Sequence, residues 1–141
     1  MCPGRFKVNP KKDIFPINGK PLIVYSIESA FDFAKQINAD VELSTDDQEI
    51  KDVCAQYGLK TEYQRPASMA TDSAEKIEVI GDLLEYAERK NNLTYDCIID
   101  LDVTSPLQTK EDLSNAFEAI KKDENCLTLF SVSTARKKSI F

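Results

Sequence analysis

Residues 95–108 run Tyr95-Asp96-Cys97-Ile98-Ile99-Asp100-Leu101-Asp102-Val103-Thr104-Ser105-Pro106-Leu107-Gln108. Cys97, Ile98, Ile99 and Leu101 make a short apolar run that reads as a buried strand. Two carboxylates, Asp100 and Asp102, close the run, and Thr104-Ser105-Pro106 follows as a polar turn. In an open parallel sheet, ligands bind outside the carboxyl ends of the strands. Acid groups at that position can hold a metal or a hydroxylated substrate. Asp102 and Thr104 would serve equally well as a turn cap, and the stretch alone does not separate the two roles.

Upstream of this strand the chain alternates helix and strand. A turn-rich, basic segment over 1–20 is followed by Leu22, Ile23, Ile27, Ala30, Phe31 and Ala34 at helical spacing, which predicts a helix over about 21–36 with Pro21 at its first position. No strand pattern precedes Gly19. Val41-Glu42-Leu43-Ser44-Thr45 alternates as a strand does. Asp46 and Asp47 then suit a helix N-terminus, Ile50, Val53, Cys54 and Tyr57 give the helix one face, and Gly58 ends it. Lys60–Gln64 is a short strand candidate that Arg65-Pro66 closes. Ser73 or Asp72 can cap a helix over about 74–90, with Ile77, Ile80, Leu83, Leu84 and Ala87 as its core face.

Downstream, Thr109 and Asp112 form a capping pair. Leu113, Ala116, Phe117 and Ile120 face the core from a helix over about 110–122, and Cys126–Ser133 reads as a last strand. Strands alternating with helices predict an α/β domain, with a mainly parallel sheet flanked by helices and right-handed crossovers. The pattern opens on a loop and a helix, where a complete unit of this kind opens on a strand. The expectation is a single domain over 1–141 with pieces missing at both ends.

Bulk composition narrows the chemistry. The chain has 141 residues, 42% of them hydrophobic and 30% charged, which suits one soluble domain with a modest core. A net charge of -6 argues against a nucleic-acid partner. No apolar stretch nears the roughly 20 residues needed to span a bilayer. With no histidine, Ser-His-Asp and Cys-His catalysis and His-ligated zinc are excluded. Four scattered cysteines without a Cys-x-x-Cys pair, and no signal peptide, predict reduced thiols and a cytoplasmic location. Lys7, Lys11 and Lys12 crowd one loop ahead of a helix, where ammonium groups suit a triphosphate as well as a solvated basic tail.

Five segments, in order, resemble the acylneuraminate cytidylyltransferase (CMP-sialic acid synthetase) family. Lys7-Val8-Asn9-Pro10-Lys11-Lys12-Asp13-Ile14 falls on the second half of that family's Ala-Arg-Gly-Gly-Ser-Lys-Gly-x-Pro-x-Lys-Asn signature. Gly19-Lys20-Pro21-Leu22 matches its Gly-Lys-Pro-Leu helix start, and Ser44-Thr45-Asp46-Asp47 its Ser-Thr-Asp-Asp segment. Arg65-Pro66 with Ala70-Thr71-Asp72 matches its Arg-Pro…Ala-Thr-Asp loop, and Asp102-Val103-Thr104-Ser105-Pro106-Leu107-Gln108 its Gln-Pro-Thr-Ser-Pro-Leu-Arg.

The resemblance implies a Rossmann-like nucleotidyltransferase domain. Such an enzyme transfers CMP from CTP to a sialic acid-like (nonulosonic) sugar, with magnesium, and releases pyrophosphate. It implies triphosphate contacts and a catalytic role for Lys7 and Lys12, with Asp13 beside them. Arg65 and Asp72 would meet the nucleotide, and Asp102, Thr104 and Ser105 the sugar. Asp102 could also hold magnesium. Full-length relatives are homodimers, and neither a nucleic acid nor a membrane is expected as a partner. Pro3-Gly4-Arg5-Phe6 replaces the small Arg-Gly-Gly-Ser element, Asp13 replaces Asn, Lys76 stands where many relatives have a hydroxyl residue, and Gln108 replaces Arg. The family's later part lies outside this chain. These departures leave open weak or lost turnover, a non-catalytic nucleotide- or sugar-binding remnant, or another keto-sugar acid such as keto-deoxy-octulosonate.

Overall fold

The computed structural model of the chain describes residues 11–69 and 76–131. Lys7 and Asp72 lie outside the described residues, as do the first residues of the predicted third helix and the end of the predicted last strand. The first described element is a 3-10 turn, Lys12–Ile14. A two-residue antiparallel pair follows, β1 (Pro16–Ile17) and β2 (Lys20–Pro21), with Ile17 opposite Lys20. Asn18 and Gly19 join them with φ of +53° and +76°, the left-handed pair that a tight hairpin turn requires. This pair was not expected from the sequence, although Asn-Gly is the signal for it. Pro21 therefore ends β2 and stands as the N-cap of the next helix instead of its first residue.

Four helices follow: α1 (Leu22–Ile37), α2 (Gln48–Gln56), α3 (Lys76–Asn91) and α4 (Lys110–Lys122). Their ends follow from local chemistry. Asn38 adopts φ +55° after α1 and returns its N–H to Ala34 O. Asp47 caps α2, its carboxylate accepting from Glu49 N at 2.8 Å. Gly58 holds φ +92° just beyond α2, within the left-handed region that favours glycine. Thr109 and Asp112 exchange side-chain and backbone hydrogen bonds in a full capping box on α4.

The core is built mainly on α1 and α2. Ile23, Val24, Ile27, Ile50, Cys54 and Leu59 form one buried cluster, with Ile14, Val41, Leu43 and Val103 packed against it. Burial pushes the Cys54 thiol up to about 11. The described cysteines 54, 97 and 126 are all free thiols. On α4, Leu113 is buried and Phe117 meets Phe33 of α1 edge-on, with ring centroids 5.8 Å apart. Among the described residues no helix is long and apolar enough to cross a membrane.

The sheet departs from expectation. Among the described residues, β1 and β2 form the one sheet, and no parallel sheet is present. Residues 41–45, 60–64, 97–101 and 126–131 carry no strand ladder. Among the described residues, no backbone–backbone hydrogen bond is made by residues 41–45 or 97–101. A strand is defined by its neighbour, and a parallel strand in a covered sheet needs a partner on both sides. The helix–strand pattern calls for a parallel strand ahead of α1, and among the described residues the short antiparallel β1–β2 pair stands there instead. Exposure tells the same story. Ile98 is 50% exposed and Phe130 78%. Ile77, expected on the core face of α3, is 80% exposed, and Ala87 is the buried residue of that helix.

Candidate functional site

Two loops carry the site, and each is pinned by one apolar side chain. Ile14 packs on the core and fixes the Lys12–Asp13 turn, while Val103 does the same for the Asp100–Ser105 turn. Lys11 ties the first loop to α2 through an ion pair with Glu49 at 2.5 Å, which raises the lysine above its ordinary value. Ser29 of α1 donates to Gln108 O at 3.1 Å and tethers the second loop.

Asp102 organises its own turn. Its Oδ1 accepts from Thr104 N at 2.8 Å and from the Thr104 hydroxyl at 2.7 Å, and Ser105 N closes onto Asp102 O at 3.1 Å. The two Thr104 bonds hold the Asp102 carboxyl below its ordinary range, with Lys76 and Lys12 contributing their positive fields. The capping role weighed from sequence is thus present, and the carboxylate also lies within reach of two ammonium groups. Lys76, at the start of α3, pairs with Asp100. That hydrogen bond raises the lysine, against partial desolvation and with help from Asp102.

Arg65 is half-buried and spoken for. Its guanidinium donates to Ser44 O at 2.6 Å and Ser44 Oγ at 3.1 Å, with Asp46 at 3.9 Å. It lines the same groove as Lys76 and Asp100. Asp13 has one carboxylate oxygen shielded from solvent without a hydrogen-bond partner among the described residues. Thr104 and Ser105 are exposed on the turn.

The structure therefore brings Lys76 and Asp100 into contact on the groove that Arg65 lines, and the positive fields of Lys76 and Lys12 reach Asp102. The sequence offered Asp100 only as one of two acids at the end of the apolar run, without a role of its own, and Lys76 only as a departure from the family pattern. Asp100 was legible, since alternation along a strand points 100 and 102 the same way. Lys76 carried no local signal, because its partner lies across the chain. Paired cations facing two carboxylates suit a ligand that is both polyanionic and hydroxylated: ammonium groups neutralise phosphate, and carboxylates accept from hydroxyls.

Comparison with known proteins bears on this arrangement. A family model described as cytidylyltransferase matches residues 9–140. The chain is 35% identical to pseudaminic acid cytidylyltransferase of Campylobacter jejuni over 122 residues, covering 86% of this chain and 51% of that protein. It is 33% identical to post-translational flagellin modification protein B of Campylobacter coli, covering 98% and 57%. It is 31% identical to CMP-N,N'-diacetyllegionaminic acid synthase of Legionella pneumophila, covering 79% and 47%. The chain spans about half the length of these curated relatives.

Proposed function

The chain belongs to the cytidylyltransferase family, and from that premise we propose that it is the nucleotide-binding part of an enzyme that charges a nonulosonic sugar with CMP. A sugar hydroxyl attacks the α-phosphorus of CTP. The new P–O bond forms as the bond to the β-phosphate breaks, pyrophosphate leaves, and the hydroxyl proton passes to solvent. Relatives named for pseudaminic and legionaminic acids support a bacterial nonulosonic acid of that kind over N-acylneuraminate itself. Residues 41–45, 60–64 and 97–101 are read as strands of a Rossmann-like parallel sheet, with the site at their carboxyl ends.

The observation that carries the reading is the Lys76–Asp100 ion pair on the groove that Arg65 also lines, beside an Asp102 carboxylate that the Lys12 charge helps to hold ionised. Lys12, with Lys7 five residues earlier in the sequence, neutralises the triphosphate. Arg65, pre-set on Ser44, meets the nucleotide from the wall of the groove, together with Asp72. Thr104 and Ser105 present hydroxyls to the sugar.

Magnesium fits the donor set at Asp13, whose shielded, unpartnered oxygen calls for a cation. Asp102 can join through the oxygen that Thr104 leaves unused. When bound, the ion would neutralise charge on the phosphates. No cluster of three acidic or thiol side chains is present among the described residues, so phosphate oxygens would complete its shell.

The test is CTP binding by calorimetry together with pyrophosphate release from CTP, magnesium and a panel of nonulosonic acids. Saturable CTP binding with weak turnover is expected, and Lys12→Ala should weaken binding about tenfold with the fold intact. A folded chain indifferent to CTP overturns the reading, and so does one in which Lys12→Ala changes nothing. Unchanged magnesium and CTP affinity in Asp102→Asn would remove Asp102 from the metal. Because the chain spans half of its relatives, a binding remnant without turnover is the second reading, and robust turnover by the 141-residue chain excludes it.

A further inference from the structure

A nonulosonic sugar is an acid, and the turn that would receive it already carries two carboxylates. Asp100 and Asp102 stand just ahead of the exposed Thr104 and Ser105. Like charges at close quarters repel, so an anionic sugar needs a cation there to offset them. Among the described residues, the cations that line this groove are Arg65 and Lys76. Arg65 is engaged: its guanidinium donates to Ser44 O and Ser44 Oγ and stands 3.9 Å from Asp46. Lys76 is paired with Asp100, and its field reaches Asp102 as well. An ammonium has three N–H donors, so Lys76 can keep Asp100 and still meet a second acceptor. The Lys76 side chain is 64% exposed and that of Asp100 42%. A pair so open to water adds little to the stability of the fold, and its charges are within reach of a ligand.

Given the nonulosonic substrate proposed above, we propose that Lys76 is a specificity-determining residue for the acid form of the sugar, its ammonium meeting the sugar carboxylate while it offsets the repulsion of Asp100 and Asp102. Removing the cation penalises the acid and spares a neutral analogue of the same sugar. Removing the Asp100 charge does the reverse, because one repelling group goes and Lys76 is released to the ligand. A lysine that merely tied α3 to the turn would give neither pattern. Loss of either partner would then break the same tie and act in the same direction on both ligands.

The probes are pseudaminic acid and its methyl ester, titrated by calorimetry into the 141-residue chain at neutral pH and low salt, with CTP titrated separately. The readout is the ratio of acid to ester affinity, which cancels any change that the two ligands share. Lys76→Gln should lower the ratio about fivefold, the scale of one solvent-exposed charge pair, and Lys76→Arg should keep it. Asp100→Asn, which removes the same ion pair, should raise it, so the sign does not hang on the fold of one variant. Salt near 1 M, where the Debye length falls to about 3 Å, should shrink all of these differences. A ratio that Lys76→Gln leaves unmoved overturns the proposal, as does a ratio that Asp100→Asn lowers. Absence of sugar binding in a chain that binds CTP overturns it too, and leaves the nucleotide reading standing. Weaker CTP binding by Lys76→Gln with an unmoved ratio would assign Lys76 to the triphosphate instead. A chain indifferent to CTP and to both sugars would sink the cytidylyl-transfer reading itself, and this proposal with it.

Discussion

The α1–α2 half and the half that holds residues 97–101 both contain apolar runs, yet one encloses them and the other leaves them half-exposed. Val24 and Cys54 are fully enclosed and Ile27 is 4% exposed, whereas Ile98 is 50% exposed and Phe130 78%. Helices satisfy their own backbones, so α1 and α2 need only bury one face each. Residues 97–101 need a neighbour for every main-chain group before their side chains can be enclosed. Hydrophobicity sets where a segment wants to be, and hydrogen bonding decides whether it can stay there dry.

Truncation in the finished half should cost most. Ile27→Ala should destabilise by about 2–5 kcal/mol, the range for a large-to-small change in a closed core. Urea unfolding with an unchanged m-value checks it. A loss below about 1 kcal/mol would mean that the α1–α2 cluster is as loose as the groove.

Tyr63 joins the two halves and comes next. It is 3% exposed, its hydroxyl donates to Asp82 of α3 at 2.5 Å, and its carbonyl accepts from Lys51 of α2 at 2.8 Å. Tyr63→Phe should cost about 1.5–3 kcal/mol at neutral pH, as expected for a hydrogen bond to a charged group. Burial, followed by Asp82, pushes the phenol up to about 12, above an unfolded value of about 10. A raised folded value means stability that is complete below about pH 10 and lost as pH climbs from there toward 12. The Phe variant should lack that alkaline decline, and thermal melts across the window decide it.

Helix capping ranks third. Asp47→Ala removes the side-chain acceptor for Glu49 N and Ile50 N and should cost about 1 kcal/mol. Asp47→Asn should recover most of that loss, which a generic surface change would not do.

These effects follow what could be read from the sequence. The helices among the described residues were legible, within a residue or two at each end that can be compared, because Asp47, Gly58, Thr109 and Asp112 act on atoms within one turn of themselves. Asn18-Gly19 offered the same local signal for the β1–β2 turn. The sheet was legible as strand-like sequence and not as structure, because a ladder depends on residues far along the chain. The site divides the same way. The Asp102–Thr104 turn could be foreseen from adjacent residues, while the Lys76–Asp100 pair joins two segments that no local pattern links.

The smallest effect carries the sharpest comparison. Ile98→Val removes one methylene from a side chain that is half in water. Full burial of a methylene is worth about 0.8 kcal/mol, so the loss here should be about 0.4 kcal/mol. Ile27→Val, the same change in the closed core, should cost about 0.5–1.5 kcal/mol. The two positions differ because one side chain is enclosed and the other is half in water. Urea unfolding of both variants checks the order, and an equal penalty at 98 and 27 would mean that Ile98 is as enclosed in solution as Ile27.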